Sequence, residues 1–448
     1  MKPLKIFLFW LAVLSPVLPL VLYLQGNVYD LESFLHPFTL GIIFGIPSYV
    51  YFQIVLLISA RIRWIDRIFA HDKVMKFHGI LALVAFGLGV LHGHFKEIYG
   101  DSSAQILMGE LGLDIMQVVI IVTLIVMVPG FPHRIKILAR FRDLVTKKWG
   151  LDYSILKALH NFTVLGIQLM AFHVILASST QEDWLRVVIM AGLAVVTTVL
   201  WVSHIIVRPI RLRRNPSQVL DVTNPAPGHT EVLLKKPRGF RAKSGQFVFG
   251  RFPGSDAQWG EHPYTLSSGT QDEALMVTAK HLGNFSASMA QLKPGDRALV
   301  DGPYGKFYPA SADKNPRPLV CIAGGIGITP FLSMLKSWSA EDPRPVVLFW
   351  AVRDSAELVH RDFFQKRAEE LPNFRLVTIV ENKPQDGELK GFLDQEKLDS
   401  VLGEEGFSLA ESEVFFCGPA GMQKAVFPLL KKSGVRRSRL HYEQFSFG

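Results

Sequence analysis

Four histidines lie in apolar stretches, where an ionisable side chain is costly and usually functional. His78 and His92 belong to "KFHGILALVAFGLGVLHGHF", and His160 and His173 to "LHNFTVLGIQLMAFHVIL". The first pair is fourteen residues apart and the second thirteen. At about 100° and 1.5 Å per helical residue, each pair returns to nearly one face, with its members about 20 Å apart along the axis. Two helices that each offer an imidazole at two depths can clamp two stacked haems, each iron taking two axial nitrogens. That constellation carries single electrons. Gly79, Gly87, Gly89, Gly93 and Gly166 leave room for a flat macrocycle. The competing reading is four hydrogen-bonded histidines at helix contacts, and the matched spacing speaks against it. His36, His71, His94 and His204 have no such partner and read as interface histidines.

A second set of residues suits nucleotides. In "HPYTLSS", from His262 to Ser268, the Tyr264 ring is flanked by the hydroxyls of Thr265, Ser267 and Ser268. Such a run can pack on a flavin and hydrogen-bond its ring and ribityl chain. "KHLGNFS" brings the Lys280 cation, backbone N–H groups around Gly283 and the Ser286 hydroxyl, a set that suits a pyrophosphate. "DGPYG" reads as a tight turn closing the same region. "GGIGITP" holds Gly324, Gly325 and Gly327, then Thr329 and Pro330 where a helix would start. Glycines admit a pyrophosphate to the backbone, and a helix N-terminus favours its charge. Alone this turn falls short of the full dinucleotide fingerprint, and a packing turn would look similar. The four motifs in this order are specific.

The elements that must hold these residues divide the chain. Mean hydropathy is +0.24, and the apolar residues gather before about residue 207. Six runs there are long enough to span a bilayer, which takes roughly 20 residues: about 6–24, 38–60, 74–95, 114–130, 153–178 and 187–207. The first is expected to be a retained helix and not a signal peptide, because no small-residue cleavage site follows it. Basic residues cluster after the second run (Arg61, Arg63, Arg67, Lys73, Lys76), the fourth (Arg134, Lys136, Arg140, Arg142, Lys147, Lys148) and the sixth (Arg208, Arg211, Arg213, Arg214). The other connections are mostly acidic. The positive-inside rule then puts both termini and the second half of the chain in the cytoplasm. These loops account for most of the net charge of +9, so they imply anionic lipid and no nucleic acid.

Residues 208–216, "RPIRLRRNP", read as a basic linker. Short alternating runs broken by Gly and Pro then predict a small β-barrel over 217–313. From 316 to 448, strands such as "PVVLFWAV" and "EVFFCGPAGM" alternate with helical segments and predict an open parallel sheet. The expected fold is a membrane α-helical bundle of six transmembrane helices over residues 1–210, a cytoplasmic β-barrel flavin domain and an α/β parallel-sheet nucleotide domain. Cys321 and Cys417 both fall in the predicted cytoplasmic part, where a disulfide is not expected, and no zinc spacing is present.

On these residues the chain resembles the NADPH oxidase and ferric reductase superfamily, in a compact bacterial form. The paired histidines resemble those of its ferric-reductase-like transmembrane domain. "HPYTLSS" and "DGPYG" resemble its flavin segments, and "AGGIGITPF", "WAVRD" and "FFCGP" its nicotinamide-nucleotide segments. The closing "HYEQFSFG" is similar to its terminal Glu-x-aromatic signature. The resemblance makes the barrel an FAD domain and the parallel sheet an NAD(P) domain. The resemblance implies that His262, Pro263, Tyr264 and Thr265 meet the flavin, and that Gly324, Gly325, Gly327 and Thr329 bind nucleotide phosphates. It places Cys417, Gly418 and Pro419 beside the nicotinamide and Phe445 on the flavin ring, with Phe447 a rival for that place. Arg353 matches an arginine associated with the NADPH 2′-phosphate, which does not by itself decide between NADPH and NADH.

The function expected is a transmembrane NAD(P)H oxidoreductase of a bacterial inner membrane, with FAD and two b-type haems as cofactors. Oxygen, giving superoxide, or a ferric chelate is the expected acceptor on the far side. Two alternatives are a module that reduces a periplasmic protein or quinone, and a proton channel or transporter. A channel needs neither flavin nor nucleotide motifs.

Overall fold

A computed structural model describes residues 2–97, 103–126, 136–144, 153–253, 261–311 and 314–443. The chain separates into two compact units: Met1–Phe69 with Lys73–Ile210, and Ala70–Asp72 with Arg211–Phe447.

The first unit is helical. It comprises α1 (Lys2–Leu14), α2 (Val17–Asn27), α3 (Leu31–Leu35), α4 (Pro37–Ser59), α5 (Arg63–Ile68), α6 (His71–Glu97), α7 (Ala104–Val126), α8 (Lys136–Asp143), α9 (Tyr153–His160), α10 (Thr163–Leu176), α11 (Ser178–Gln181), α12 (Trp184–Val202) and α13 (Arg208–Arg214). Local chemistry sets several of their starts. Asp30 and Ser33 form a capping box on α3, Pro37 opens α4, and Asp183 caps α12. Among the described residues, six helical segments are long and apolar enough to cross a membrane. The central one is α4, with 61% of its most apolar window buried against 17–28% for the other five. The outer helices expose side chains such as Ile80, Val118 and Val195.

Three expected spans are redrawn. The fourth helix begins at Ala104 and not near 114, because Glu110 and Asp114 sit on its outer side while Gly112, Met116 and Ile120 face inward. A charge on the outer face does not end a helix. The fifth run breaks at Asn161 and Phe162, whose N–H groups bond to carbonyls three residues back and so tighten the turn. The sixth run continues through a π turn at Ser203–Val207 into α13, where a linker is expected from the sequence. Pro209, which has no N–H to donate, follows that π turn.

Gly112 on α7 and Gly166 on α10 meet at a close helix crossing. A Cβ on Gly112 would stand 2.9 Å from the Gly166 carbonyl oxygen, and one on Gly166 would stand 3.0 Å from that of Gly112. Gly166 therefore admits a neighbouring helix, not a macrocycle.

The second unit holds two six-stranded sheets among the described residues. The antiparallel sheet contains β1 (Ser217–Thr223), β2 (His229–Lys235), β3 (Phe247–Arg251), β4 (His262–Thr265), β5 (Ala274–Lys280) and β6 (Arg297–Tyr304), with the short α14 (Asn284–Ser288) after β5. Its order is β4-β3-β6-β1-β2-β5, and a bridge between Leu266 and Val277 joins the two ends into a barrel. Val219, Val232, Leu234, Val248, Leu275 and Val277 fill it.

The second sheet contains β7 (Leu319–Gly324), β8 (Val346–Asp354), β9 (Phe374–Lys383), β10 (Leu389–Lys390), β11 (Glu413–Cys417) and β12 (Leu440–Glu443). Helices α15 (Thr329–Lys336), α16 (Arg361–Glu370), α17 (Gln395–Glu404) and α18 (Ala420–Lys432) alternate with the strands. All five pairings are parallel, in the order β10-β9-β8-β7-β11-β12. Continuous apolar strands such as "LVCIAG" and "VVLFWAV" suit a sheet covered on both faces. The chain moves outward from β7 to β10, then returns to place β11 on the other side of β7. The switch point between β7 and β11 is where an open α/β sheet binds its ligand.

Candidate functional site

The C-terminal ends of β7 and β11 bring two of the sequence motifs together. Gly324 ends β7 and Cys417 ends β11, and the two loops nearly touch. A Cβ on Gly327 would lie 2.2 Å from the Cys417 carbonyl oxygen, and one on Gly324 would lie 2.6 Å from Met422 Sδ and 2.7 Å from Pro419 Cδ. These two glycines are required by close approach. Gly325 is required by its left-handed backbone, with φ of 54°. Thr329 opens α15, its buried hydroxyl donating to the Ile326 carbonyl at 3.1 Å, and Pro330 occupies the first turn. The N-terminus of α15 thus points its positive dipole end into the crevice. Gly418 and Pro419 lead into α18 on the facing side. Arg353 is exposed near the end of β8, beside the same sheet edge.

Cys417 is 2% exposed. Burial and, next, the Glu443 charge push its thiol far above its ordinary range, so it stays protonated. Glu443 is the strand partner of Cys417 across β11 and β12. A Cβ on Gly305 of "DGPYG" would come within 2.9 Å of Glu443 Oε1. Glu443 is the Glu of the terminal Glu-x-aromatic segment, and the pairing of β12 with β11 brings it to the thiol, a contact that no spacing in the sequence records. Cys321, deeper in β7, is pushed up to about 12 by burial. Phe445 and Phe447 lie outside the described residues.

The flavin motif occupies β4 and the loop after it. Tyr264 is buried, its ring 3.1 Å from where a Cβ on Gly250 would stand, and burial raises its hydroxyl pKa. Its Oη is buried without a hydrogen-bond partner among the described residues, a polar atom for which a ligand would be a partner. Pro263 and Thr265 flank it on the strand. His262 stacks on Phe285 with ring centroids 3.8 Å apart.

Other expected ligand groups are engaged within the protein. The Ser267 hydroxyl is fully buried and bonded to that of Thr278 at 3.1 Å. At Ser268 it is the backbone carbonyl, and not the hydroxyl singled out in the sequence, that accepts from Ser333 of α15 at 2.6 Å. Lys280 pairs with Glu357 at 2.7 Å. Ser286 Oγ accepts from the N–H groups of Leu282 and Gly283, at 2.9 and 3.2 Å, and so closes the turn into α14. These are turn, barrel and domain contacts. The residue types did not distinguish them from ligand contacts.

In the first unit the four spaced histidines meet in two pairs. The rings of His78 and His160 have centroids 6.3 Å apart, and those of His92 and His173 are 5.9 Å apart. Their Nδ1 atoms turn outward to the neighbouring helices. His92 Nδ1 donates to the Gly41 carbonyl at 2.7 Å, and His173 Nδ1 to the Gln105 carbonyl at 2.9 Å. A carbonyl only accepts, so Nδ1 of His92 carries a proton; Nδ1 of His173 has a second neighbour, the Gln105 side-chain nitrogen, at 3.1 Å. The Gln105 side-chain amide donates to the His173 carbonyl at 3.2 Å. His160 Nδ1 lies 3.2 Å from the Thr123 hydroxyl. His78 Nδ1 is buried near the Val55 backbone, without a bond of ordinary geometry among the described residues. Among the described residues no three or more His, Cys, Asp or Glu side chains converge on a metal position; an axial pair needs only two.

Comparison with known proteins covers the second unit. Residues 218–307 match the FAD-binding domain family, and residues 321–427 match the oxidoreductase NAD-binding domain family. The reductase subunit of an aromatic O-demethylase from Amycolatopsis sp. is 30% identical over 244 residues, 52% of this chain and 70% of that protein. The reductase component of propane 2-monooxygenase from Mycolicibacterium smegmatis is 28% identical over 215 residues, 47% of this chain and 61% of that protein. The chain thus spans about three-fifths of the length of that relative. Among solved structures, a ferredoxin NADP+ reductase from Neisseria gonorrhoeae with bound FAD and NADP has a TM-score of 0.45 at 24% identity, covering 51% of this chain and 97% of that one. With both domains matched in order and the reductase subunit covered over 70% of its length, this chain belongs to the oxidoreductases in which an FAD-binding domain precedes an NAD-binding domain.

Proposed function

We propose that this protein is a membrane-spanning NAD(P)H oxidoreductase of a bacterial inner membrane, using FAD and two b-type haems to reduce oxygen or a ferric chelate on the far side. The carrying observation is the paired imidazoles. Two imidazoles that bind one metal from opposite sides, each through a nitrogen at about 2 Å, have ring centroids roughly 6 Å apart. The separations of 6.3 and 5.9 Å suit that arrangement. The Nδ1–H bonds to backbone carbonyls are the outer contacts that metal-bound imidazoles usually make. The residues present fit a haem at each level: His78 and His160 would hold one, and His92 and His173 the other.

When bound, FAD takes two electrons from a nicotinamide and releases them singly to haem irons that accept one at a time. The chain's own residues bind and orient. Gly324, Gly325 and Gly327 admit the nucleotide pyrophosphate, and the α15 N-terminus favours its charge. Cys417, held as a neutral thiol, and Gly418 form the facing wall for the nicotinamide. Tyr264 has a hydroxyl to offer the flavin, with Pro263, Thr265 and His262 on the same strand. Arg353 is the cation available for a 2′-phosphate. The six apolar helices span the membrane with basic loops inward. A haem held by two histidines would supply single electrons to an acceptor, which access and charge would select.

The test is a pyridine haemochrome assay on the purified full chain, followed by NAD(P)H-driven reduction of oxygen and of a ferric chelate in proteoliposomes. Two b-type haems per chain and reduction on the side opposite NAD(P)H are expected. One haem or none removes the paired-ligand reading. A second reading is favoured by the relatives, which are named as reductase components or subunits of oxygenase and demethylase systems. In it the acceptor is a protein partner, and reduction begins only when that partner is added.

A further inference from the structure

The two rings of the His92–His173 pair are seated in the same way on two different helices. The carbonyls that accept from them belong to Gly41 of α4 and Gln105 of α7. In an α-helix the carbonyl of residue i already accepts from the N–H of residue i+4. The residues four further on are Gly45 and Gly109. A helical Cβ leans toward the helix N-terminus, over the carbonyl one turn back, where a second donor must enter.

We propose that Gly45 and Gly109 are positioning residues for this pair: by lacking a side chain, each opens a helix carbonyl to an imidazole Nδ1–H and so presents Nε2 to the haem iron. The proposal rests on the haem reading above. A Cβ on Gly45 would lie 2.6 Å from His92 Nδ1, 3.0 Å from Cε1 and 3.2 Å from Cγ. A Cβ on Gly109 would lie 2.7 Å from His173 Nδ1, 2.9 Å from Cγ and 3.0 Å from Cε1. At both sites all three nearest atoms belong to the imidazole. Gly112 and Gly166 differ, because backbone atoms of the facing helix stand in that place. Among the described residues the His78–His160 pair is seated differently: His160 meets the Thr123 hydroxyl, and His78 Nδ1 lies near the Val55 backbone. A methyl group at Gly45 or Gly109 must displace its ring and break the Nδ1–H bond, and it leaves the other pair untouched.

The experiment uses the full-length haem-loaded protein with Gly45→Ala, Gly109→Ala and, as control, Gly192→Ala. Gly192 is an exposed residue of α12 with nothing within 4 Å of its Cβ position. Haem per chain, the low-spin ferric EPR spectrum and a redox titration are read on each. The expected result is that each of the first two variants loses one of two haems, or shifts the EPR signal and midpoint potential of one haem only, while Gly192→Ala matches wild type. Two unchanged haems in both variants overturn the proposal while leaving the haem reading intact. Equal perturbation of both haems overturns it as well, since that reports general packing. Wild-type protein without two haems overturns the haem reading itself, and the proposal with it. A measurement without substitution guards against variants that fail to fold. In wild-type protein carrying 13C-carbonyl glycine, the redox-difference infrared spectrum of this haem should contain a label-sensitive amide I band from Gly41, and its absence overturns the Gly41 contact.

Discussion

At the scale of single residues, the close approach of β7 and β11 depends on glycines whose reason is local and steric. The Cβ that Gly327 lacks would stand 2.2 Å from a carbonyl oxygen, far inside van der Waals contact. Backbone on both sides cannot yield as a flexible side chain can. Gly327→Ala is expected to force the two loops apart at a cost of about 1–3 kcal/mol. The KM for NAD(P)H should rise several-fold because the nucleotide crevice is reshaped. Thermal unfolding and dye-reduction kinetics on the same preparation check both effects. An unchanged melting temperature and KM would show that the loops accommodate a methyl group. The hydroxyls of Ser267 and Ser286 carry the opposite lesson. Their type suits a ligand, yet one is bonded inside the barrel and the other within its own turn.

At the scale of elements, the barrel and the parallel sheet of the second unit are joined by polar contacts. His360 precedes α16, and its Nε2 meets Glu231 Oε2 of β2 at 2.6 Å. The Thr278 hydroxyl donates to the same carboxylate at 2.8 Å. Burial alone would raise the Glu231 pKa. The bonds and charge of His360, with the Thr278 bond, outweigh burial and lower it below its ordinary 4.5. A carboxylate whose pKa is lowered on folding contributes stability that is present above the unfolded value and lost as pH falls through the folded one. The second unit should therefore lose stability below about pH 4.5. Glu231→Gln should flatten that part of the profile while costing about 1–3 kcal/mol at neutral pH. Denaturant unfolding at a series of pH values measures both, and a parallel pair of profiles would rule the clasp out.

At the scale of the whole molecule, the chain joins a helical unit to a unit with its own two sheets and cores. The family matches, over residues 218–307 and 321–427, fall in the second unit. Residues 217–448 expressed alone with added FAD are expected to reduce a soluble dye with NAD(P)H, because the nucleotide crevice and flavin strand both lie within them. A folded, FAD-binding fragment without dye reduction would separate the nucleotide motifs from hydride transfer. The full chain should differ from this fragment in having haem absorbance.

The sequence by itself determined the division into an apolar helical part and an α/β part, the order of barrel before parallel sheet, and the pairing of the four histidines. Each of these is carried by residue type and by period along the chain, which local backbone geometry converts directly into elements and faces. Even the break between α9 and α10 left both histidine pairs facing each other. The tertiary structure alone decided which polar groups are spent on the fold. Lys280 is claimed by Glu357, the Ser268 carbonyl by Ser333, and Cys417 is set beside Glu443. It also seated His92 and His173 against carbonyls 51 and 68 residues distant in the chain. Hydrogen-bond partners and steric clearances of a few tenths of an ångström depend on how separate elements approach one another, and no spacing within one element records that approach.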